Sequence, residues 1–127
     1  MLGTRNAMAT VAVKDLNEAK GFYEGTLGLE RTGEEGEEAV TYMAGDSTVL
    51  VYRSQYAGTN QATAVTWAVD DDLEAVVRGL KEKGVTFEAY DLPGVMREGD
   101  IHLAGGTKVA WFKDPDGNIH SLVSERE

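Results

Sequence analysis

The sequence predicts an α+β fold in which two βαβββ modules form curved mixed sheets around a concave ligand cavity. Stretches rich in Val alternate between apolar and polar residues, which is the two-residue period of a half-buried strand. Each opening strand is followed by apolar residues at helical spacing. The pattern then repeats: Val13 matches Val69, Asp15 matches Asp71 and Gly28 matches Gly84, each pair lying 56 positions apart. Such a repeat indicates two copies of one structural unit.

The first module spans residues 8–53. Residues 8–14 alternate and form its opening strand. Asp15 and Asn17 are helix N-cap residues, and Gly28 is a favourable helix C-cap. Strands are predicted over residues 29–32, 39–44 and 48–52, and apolar residues mark the helix between the caps: Ala19, Phe22, Tyr23 and Leu27.

The second module spans residues 64–124 and follows a polar linker over residues 54–63. It is predicted to open with a strand over residues 64–69. Residues 70–72 are acidic and cap a helix that ends at Gly84. The remaining predicted strands cover the ranges 85–90, 107–112 and 119–123.

Residues 91–106 have no counterpart in the first module. The segment is long for a strand connection and rich in Gly, and connections of this kind are often lids or binding loops. As a lid it would bring Arg97, Asp100 and His102 over the cavity. As a surface loop it would leave His102 in solvent, and the sequence leaves both alternatives open.

Composition excludes several classes of function. The chain has 127 residues, no Cys and a net charge of −10. The acidic charge argues against nucleic acid and anionic membrane surfaces as partners, and it favours cationic small molecules. The sequence has no apolar run long enough to span a membrane and no signal peptide is evident, so a cytoplasmic location is expected.

Two stretches resemble the glyoxalase/bleomycin resistance protein/dioxygenase superfamily, which has the vicinal oxygen chelate fold. The first runs from Val13-Lys14-Asp15-Leu16 through Phe22-Tyr23 to Leu27-Gly28-Leu29. The second is Phe112-Lys113-Asp114-Pro115-Asp116-Gly117-Asn118. With the repeat, the resemblance covers nearly the whole chain. The carboxylates at 114 and 116 are interpreted as turn residues, with Asp116 closing an Asx-type bond, because Pro115 and Gly117 suit a turn.

The resemblance also implies where a metal would be held in enzymes of this family, with one His, Gln or Glu from each of four strands. The matching positions here are Met8, Leu50, Ala64 and Ser121. None of these side chains is a suitable ligand for such a metal, so no metal and no cofactor are expected. His120 lies one residue from a ligand position and is expected to point away under the helices. A shifted register with His120 as a ligand is the alternative.

Strand alternation predicts the side chains that line the concave face. The predicted lining is mostly apolar with a few hydroxyl groups, which suits a bulky aromatic ligand. Trp67 has the opposite parity and is expected in the core. Trp111 and Phe112 are adjacent on a strand, so one of the two should reach the cavity. The predicted ligand-binding residues are Met8, Thr10, Tyr42, Leu50, Tyr52, Ala64, Thr66, Tyr90, His102, Trp111, Phe112 and Ser121.

The leading hypothesis is a metal-independent, homodimeric binding protein that resembles the antibiotic-sequestering members of the family. Its expected partner is an apolar, aromatic small molecule with a cationic or neutral polar appendage. One alternative is an enzyme without metal, a lyase or isomerase in which His102, Asp100 or Tyr52 is the general acid or base. Another is a metal-dependent lyase with non-standard ligands.

Overall fold

In the computed structural model, which describes residues 1–125, the first sheet belongs to a unit made of residues 1–64 and 115–118. Its strands are β1 (Ala9–Val13), β2 (Glu30–Glu35), β3 (Ala39–Ala44) and β4 (Ser47–Arg53). They lie in the order β1-β4-β3-β2. Strands β1 and β4 are parallel and the other pairs are antiparallel, so the sheet is mixed.

One helical segment crosses the first sheet. The Asp15 side chain accepts hydrogen bonds from the backbone N–H groups of Asn17 and Glu18, which begins helix α1 (Leu16–Lys20). The segment continues as a wider π-helical turn over Gly21–Thr26. The predicted helix is therefore confirmed in position but is not α-helical throughout. Gly28 follows it with a φ of +76°, a conformation that favours Gly.

The core of the first unit lies between this helical segment and one face of the sheet. Leu16, Ala19 and Tyr23 of the helical segment are buried. The rings of Tyr23 and Tyr42 stack with their centroids 6.2 Å apart. Alternate strand residues complete this core: Val11, Val13, Val40, Val49 and Val51.

The turn at residues 115–118 belongs to the first unit, although it joins two strands of the second sheet. The prediction of a turn is confirmed. Asp116 Oδ1 accepts a hydrogen bond from the Lys14 backbone N–H at 3.2 Å. Asn118 Nδ2 donates to the Ala12 carbonyl at 2.7 Å. These polar side chains therefore attach the turn to β1.

The second sheet has six strands and belongs to the unit of residues 65–114 and 119–125. The strands are β5 (Thr63–Ala68), β6 (Phe87–Glu88), β7 (Met96–Glu98), β8 (Ile101–Ala104), β9 (Thr107–Lys113) and β10 (Ile119–Glu125). Five of them follow the order β5-β10-β9-β8-β7, and β6 pairs with the end of β9 that β8 does not reach. Helix α2 (Leu73–Glu82) follows β5 along the chain.

Residues 91–106 are not an irregular surface loop, and His102 is buried rather than solvated. Most of the segment is a β-hairpin, β7 and β8, which extends the sheet through antiparallel pairing of β8 with β9. Gly99, with a φ of +62°, lies in the hairpin turn. The strand predicted over residues 85–90 is correspondingly short, because only Phe87–Glu88 pairs with β9. The sequence analysis thus missed two strands.

The core of the second unit lies on the sheet face that carries Val65, Phe112 and His120. Phe112 and His120 are fully buried, and their rings stack with centroids 4.9 Å apart. Trp67 Nε1 donates to His120 Nδ1 at 3.0 Å. Trp67 lies on this face as predicted but is only half-buried, whereas His120 is fully buried on it, as predicted. Neither α-helix within residues 1–125 is long and apolar enough to cross a membrane.

Candidate functional site

Strand register defines the opposite face of the second sheet, which we call the Trp111 face. Residues paired across neighbouring strands point to the same side of a sheet. Ser121 pairs with Trp111, and His102 pairs with Val109, two residues before Trp111. Thr66 joins them through its bond to Ser121. The Trp111 face therefore comprises Thr66, His102, Val109, Trp111 and Ser121.

Three aromatic rings cluster on the Trp111 face. The ring of Trp111 meets the ring of Tyr90 edge to face, with centroids 5.1 Å apart. It meets the imidazole of His102 in the same way at 4.7 Å. The ring centroids of Tyr90 and His102 are 6.1 Å apart. All three were predicted ligand-binding residues, and the structure brings them together. Such edge-to-face groups offer flat, polarisable surfaces to another aromatic ring.

His102 is buried, with 1% of its surface exposed, and its two ring nitrogens differ. Nε2 accepts the backbone N–H of Tyr90 at 3.0 Å. Because an acceptor nitrogen carries a lone pair, the proton of the neutral imidazole is on Nδ1. Nδ1 is buried and has no hydrogen-bond partner among the described residues. A buried unsatisfied donor costs about 1–3 kcal/mol, so this N–H group favours any acceptor that reaches it.

The hydroxyl of Tyr90 is protonated at neutral pH. Burial, and then the negative charge of Glu88, raise the pKa of Tyr90 above its ordinary value. Glu88 pairs with Trp111 across β6 and β9 and so points to the same face. The sequence analysis did not select Glu88, and only the pairing of β6 with β9 reveals its position. Tyr90 therefore presents a neutral ring with a hydroxyl donor.

Ser121 and Thr66 satisfy each other. Their hydroxyl oxygens are 2.8 Å apart, and Ser121 is buried. Each hydroxyl retains acceptor capacity, since a hydroxyl group has two lone pairs. The sequence had suggested them as hydrogen-bond partners of a ligand, and the structure shows them already engaged with one another.

The structure decides which of the two adjacent aromatic residues faces the core. Phe112 is fully buried on the core face, where it contacts Phe87 as well as His120. Its assignment as a ligand-binding residue is therefore wrong, because alternation along β9 points it away from Trp111. Trp111 is half-buried and belongs to the aromatic cluster.

Tyr42 also requires correction, since it was predicted to contact a ligand. It is 1% exposed, it stacks on Tyr23, and its Oη donates to Glu24 Oε2 at 2.8 Å. Burial and this hydrogen bond raise the pKa of Tyr42 well above its ordinary value. Arg31 also bonds to Glu24, so Tyr42 belongs to a structural polar network.

The other face of the first sheet, which we call the Tyr52 face, carries the remaining predicted residues of that unit. Thr10 pairs with Leu50, and Ala12 pairs with Tyr52. Thr41 and Met43 of β3 point to the same side. Met8, directly before β1, is 53% exposed, while Met43 and Tyr52 are 48% and 38% exposed. Large apolar side chains are thus accessible on this face.

The positions that resemble metal-ligand positions carry side chains that are poor ligands for divalent metals. They carry a thioether at Met8, hydrocarbon side chains at Leu50 and Ala64, and the Ser121 hydroxyl that is bonded to Thr66. Divalent metals that activate oxygen substrates prefer carboxylates and imidazoles. Within residues 1–125, no three His, Asp or Glu side chains are grouped closely enough to hold a metal ion. The alternative with His120 as a ligand conflicts with its core position, where Trp67 bonds to Nδ1.

The polar residues of the β7–β8 hairpin are divided between the two sides of the sheet. Arg97 pairs with His102 and therefore points to the Trp111 side. Asp100 lies in the turn and accepts from Lys81 of α2 at 2.6 Å. Asp100 thus has a structural partner away from the aromatic cluster, whereas Arg97 adds a second hydrogen-bond donor beside His102.

Comparison with known proteins identifies the family. The family model described as Glyoxalase/Bleomycin resistance protein/Dioxygenase superfamily matches residues 6–121. The chain belongs to this superfamily. The sequence-based assignment of family and fold is thereby confirmed. A search of curated protein sequences gave no match.

Solved structures of this superfamily share the fold of the chain at low sequence identity. A lactoylglutathione lyase from Agrobacterium tumefaciens has a TM-score of 0.72 and 16% identity, covering 95% of this chain and 93% of that one. TnmS3, an antibiotic binding protein from Streptomyces sp. CB03234, has a TM-score of 0.69 and 20% identity, covering 98% of both chains. A superfamily member from Sphaerobacter thermophilus has a TM-score of 0.69 and 24% identity, covering 98% and 100%. The fold therefore occurs in both enzymes and binding proteins.

Proposed function

We propose that the protein binds a planar, hydrophobic aromatic small molecule, such as an antibiotic or related natural product, without metal and without converting it. The observation that carries this proposal is the aromatic cluster of Tyr90, His102 and Trp111 on one sheet face. An aromatic contact in such a cluster is worth about 0.5–1.5 kcal/mol beyond the area it buries. The structural similarity to an antibiotic binding protein is consistent with it.

The donor chemistry of the chain supports binding over general-base catalysis. His102 is the His on the Trp111 face, but its Nε2 lone pair is occupied by the Tyr90 N–H and its other nitrogen carries the proton. Asp100 is ion-paired with Lys81. His102 therefore has no free lone pair on its ring, and a general base needs one within hydrogen-bond reach. The Asp100 carboxylate is held by Lys81 of α2, away from the aromatic cluster. The acid–base alternative is therefore the less favoured function.

The residues at the four metal-ligand positions support metal independence. We expect protein refolded with zinc, nickel, iron or manganese to retain far less than one metal ion per chain after desalting. Elemental analysis measures this directly. Retention of about one metal ion per chain, with loss of that metal in His120→Ala, would instead support the metal-dependent lyase.

Binding is tested with the two Trp residues of the chain, Trp67 and Trp111. In Trp67→Phe the only indole lies on the Trp111 face, and in Trp111→Phe the only indole lies in the core. Fluorene, a planar aromatic hydrocarbon, and its ketone fluorenone should quench the first variant much more strongly than the second. Perhydrofluorene, which has a similar outline but no aromatic rings, is the control ligand. Equal quenching in both variants, or no binding by either aromatic probe, would refute the proposal.

Absence of chemistry is tested separately. A ligand recovered after long incubation should be unchanged by mass spectrometry. Native mass spectrometry of freshly purified protein also searches for a co-purifying molecule of this class. Many turnovers per chain with such a ligand would establish an enzyme instead.

We further propose that the protein is a homodimer. The exposed Met8, Met43 and Tyr52 support this, because large apolar side chains accessible on one sheet face commonly mark a contact surface. Two-fold symmetry is the most common closed arrangement. Sedimentation velocity at micromolar concentration should show a dimer, and Met43→Glu with Tyr52→Glu should shift it to monomer. A wild-type monomer under these conditions would contradict the proposal.

A further inference from the structure

We propose that the Nδ1–H group of His102 selects ligands that carry an acceptor oxygen, such as a carbonyl or phenolate oxygen, at the edge of the aromatic ring system. This inference rests on the proposed function and names the ligand chemistry of the same site. It starts from one buried atom, because Nδ1 of His102 has no hydrogen-bond partner among the described residues.

The orientation of the imidazole is determined by the backbone. Tyr90 donates its N–H to Nε2 at 3.0 Å, so Nε2 is the acceptor and Nδ1 carries the proton in the neutral ring. If the proton were on Nε2 instead, two N–H groups would face each other and the hydrogen bond from Tyr90 to His102 would be lost. The group without a partner is therefore the Nδ1–H donor, and a ligand would have to bring a hydrogen-bond acceptor to it.

The surroundings of His102 point in the same direction. Its ring lies against Trp111 and Tyr90, with centroids 4.7 and 6.1 Å away. A planar ligand that packs against these two rings brings its edge towards the imidazole. Arg97, paired with His102 across the hairpin, adds a guanidinium donor on the same side of the sheet. The donors of His102 and Arg97 match a ligand oxygen rather than an ammonium group, because the Glu88 carboxylate on the same face is ion-paired with Lys113 at 3.8 Å.

The hydrogen-bond donors beside His102 narrow the ligand class more than the net charge of the protein does. The net charge of −10 attracts cations to the protein as a whole. Hydrogen bonds act only at contact distance, so the groups beside His102 determine which polar atom is accepted there. A ligand with a cationic appendage fits this site when a carbonyl or phenolate oxygen is the group that reaches His102.

Fluorenone and fluorene test the inference, because both are planar three-ring molecules and they differ at one carbon, which is a carbonyl in the first and a methylene in the second. By isothermal titration calorimetry, wild-type protein should bind fluorenone roughly 3- to 10-fold more tightly than fluorene, the range of one neutral hydrogen bond. His102→Phe keeps an aromatic ring but has no donor, and it should reduce the ratio of fluorenone affinity to fluorene affinity to about one, whatever the variant does to the affinity for fluorene itself. His102→Gln, which retains an N–H donor, should keep part of it.

A second measurement uses the wild-type protein and therefore does not depend on whether the His102 variants fold. The chain has two His residues, and they should be opposite neutral tautomers. His102 carries its proton on Nδ1, whereas His120 accepts from Trp67 at Nδ1 and therefore carries its proton on Nε2. Long-range ¹⁵N–¹H correlation spectra distinguish the two forms. Fluorenone should shift the His102 Nδ1–H resonance downfield, and fluorene should not.

The outcomes separate this inference from the proposed function. If fluorene and fluorenone bind equally to wild type and the Nδ1–H resonance does not respond, the His102 inference is overturned while aromatic binding stands. If neither probe binds, the proposed function fails, and the inference fails with it. A His102 ring protonated on Nε2 would overturn the inference regardless of the affinities.

Discussion

The adjacent residues Trp111 and Phe112 offer a direct test of how function and stability are divided across the second sheet. Phe112 is fully buried between Phe87 and His120, with ring centroids 5.7 and 4.9 Å away. Replacing a buried Phe by Ala costs about 3–5 kcal/mol, because transfer free energy is lost and a cavity remains. We expect Phe112→Ala to lose this amount, a large share of the stability of about 5–15 kcal/mol that is typical of a domain.

Trp111→Ala should behave in the opposite way. Trp111 is half-buried and makes two edge-to-face contacts, with Tyr90 and His102. Each is worth about 0.5–1.5 kcal/mol, so the stability cost should be about 1–3 kcal/mol. Loss of the indole should weaken binding of fluorenone by about tenfold or more, because stacking and buried area disappear together.

Urea unfolding followed by far-UV circular dichroism measures the stabilities, and calorimetry measures fluorenone affinity. Phe112→Leu is the milder companion variant; it should retain both fold and binding. If Trp111→Ala destabilised the protein as much as Phe112→Ala, or if Phe112→Leu abolished binding while Trp111→Ala did not, the assignment of the two faces would be wrong.

Three further predictions concern stability. Burial lowers the pKa of His120 to about 4, with a smaller opposing effect of Asp114, so the folded state resists protonation. The contribution of neutral His120 to the free energy of unfolding is fully present above pH 6.5 and is lost as the pH falls towards 4. The free energy of unfolding measured with urea should therefore fall by about 2 kcal/mol between pH 6.5 and 4.5, and this fall should be much smaller in His120→Gln. A Cβ at Gly58 would lie 1.9 Å from the Asp116 carbonyl oxygen, so Gly58→Ala should cost several kcal/mol by thermal denaturation; Gly94→Ala, with a similar positive φ but open space, should cost only about 1 kcal/mol, and similar losses would contradict the close approach. Tyr42→Phe should cost about 1 kcal/mol through the lost bond to Glu24 and leave fluorenone affinity unchanged, whereas reduced affinity would restore Tyr42 to the site.

The sequence was most informative where the physical cause is local. Alternation and helical spacing predicted β1, the helical segment after it and α2, because burial on one face imposes those periods. The same parity argument placed Trp67 and His120 on the core face, where the structure has His120 fully buried and Trp67 half-buried. Family and fold followed from the repeat and two motifs.

Segments without periodicity were less predictable. Residues 91–106 contain strands of three and four residues, too short to display alternation, and their Gly residues suggested a loop. Only pairing with β9 makes this segment a hairpin. The same pairing brings His102 beside Trp111, so the central feature of the candidate site depended on a strand that local pattern did not reveal.

The sequence by itself determined the two modules, the residues at the metal-ligand positions and the parity of each strand, because these depend on residue identity and on spacing along one segment. Tertiary structure alone decided that Tyr42 bonds to Glu24, that Asp116 bonds to the Lys14 backbone and that His102 keeps an unsatisfied Nδ1. Each of these depends on a partner that is distant in sequence. Side-chain parity is a property of one strand, whereas a hydrogen-bond partner is a property of the folded chain.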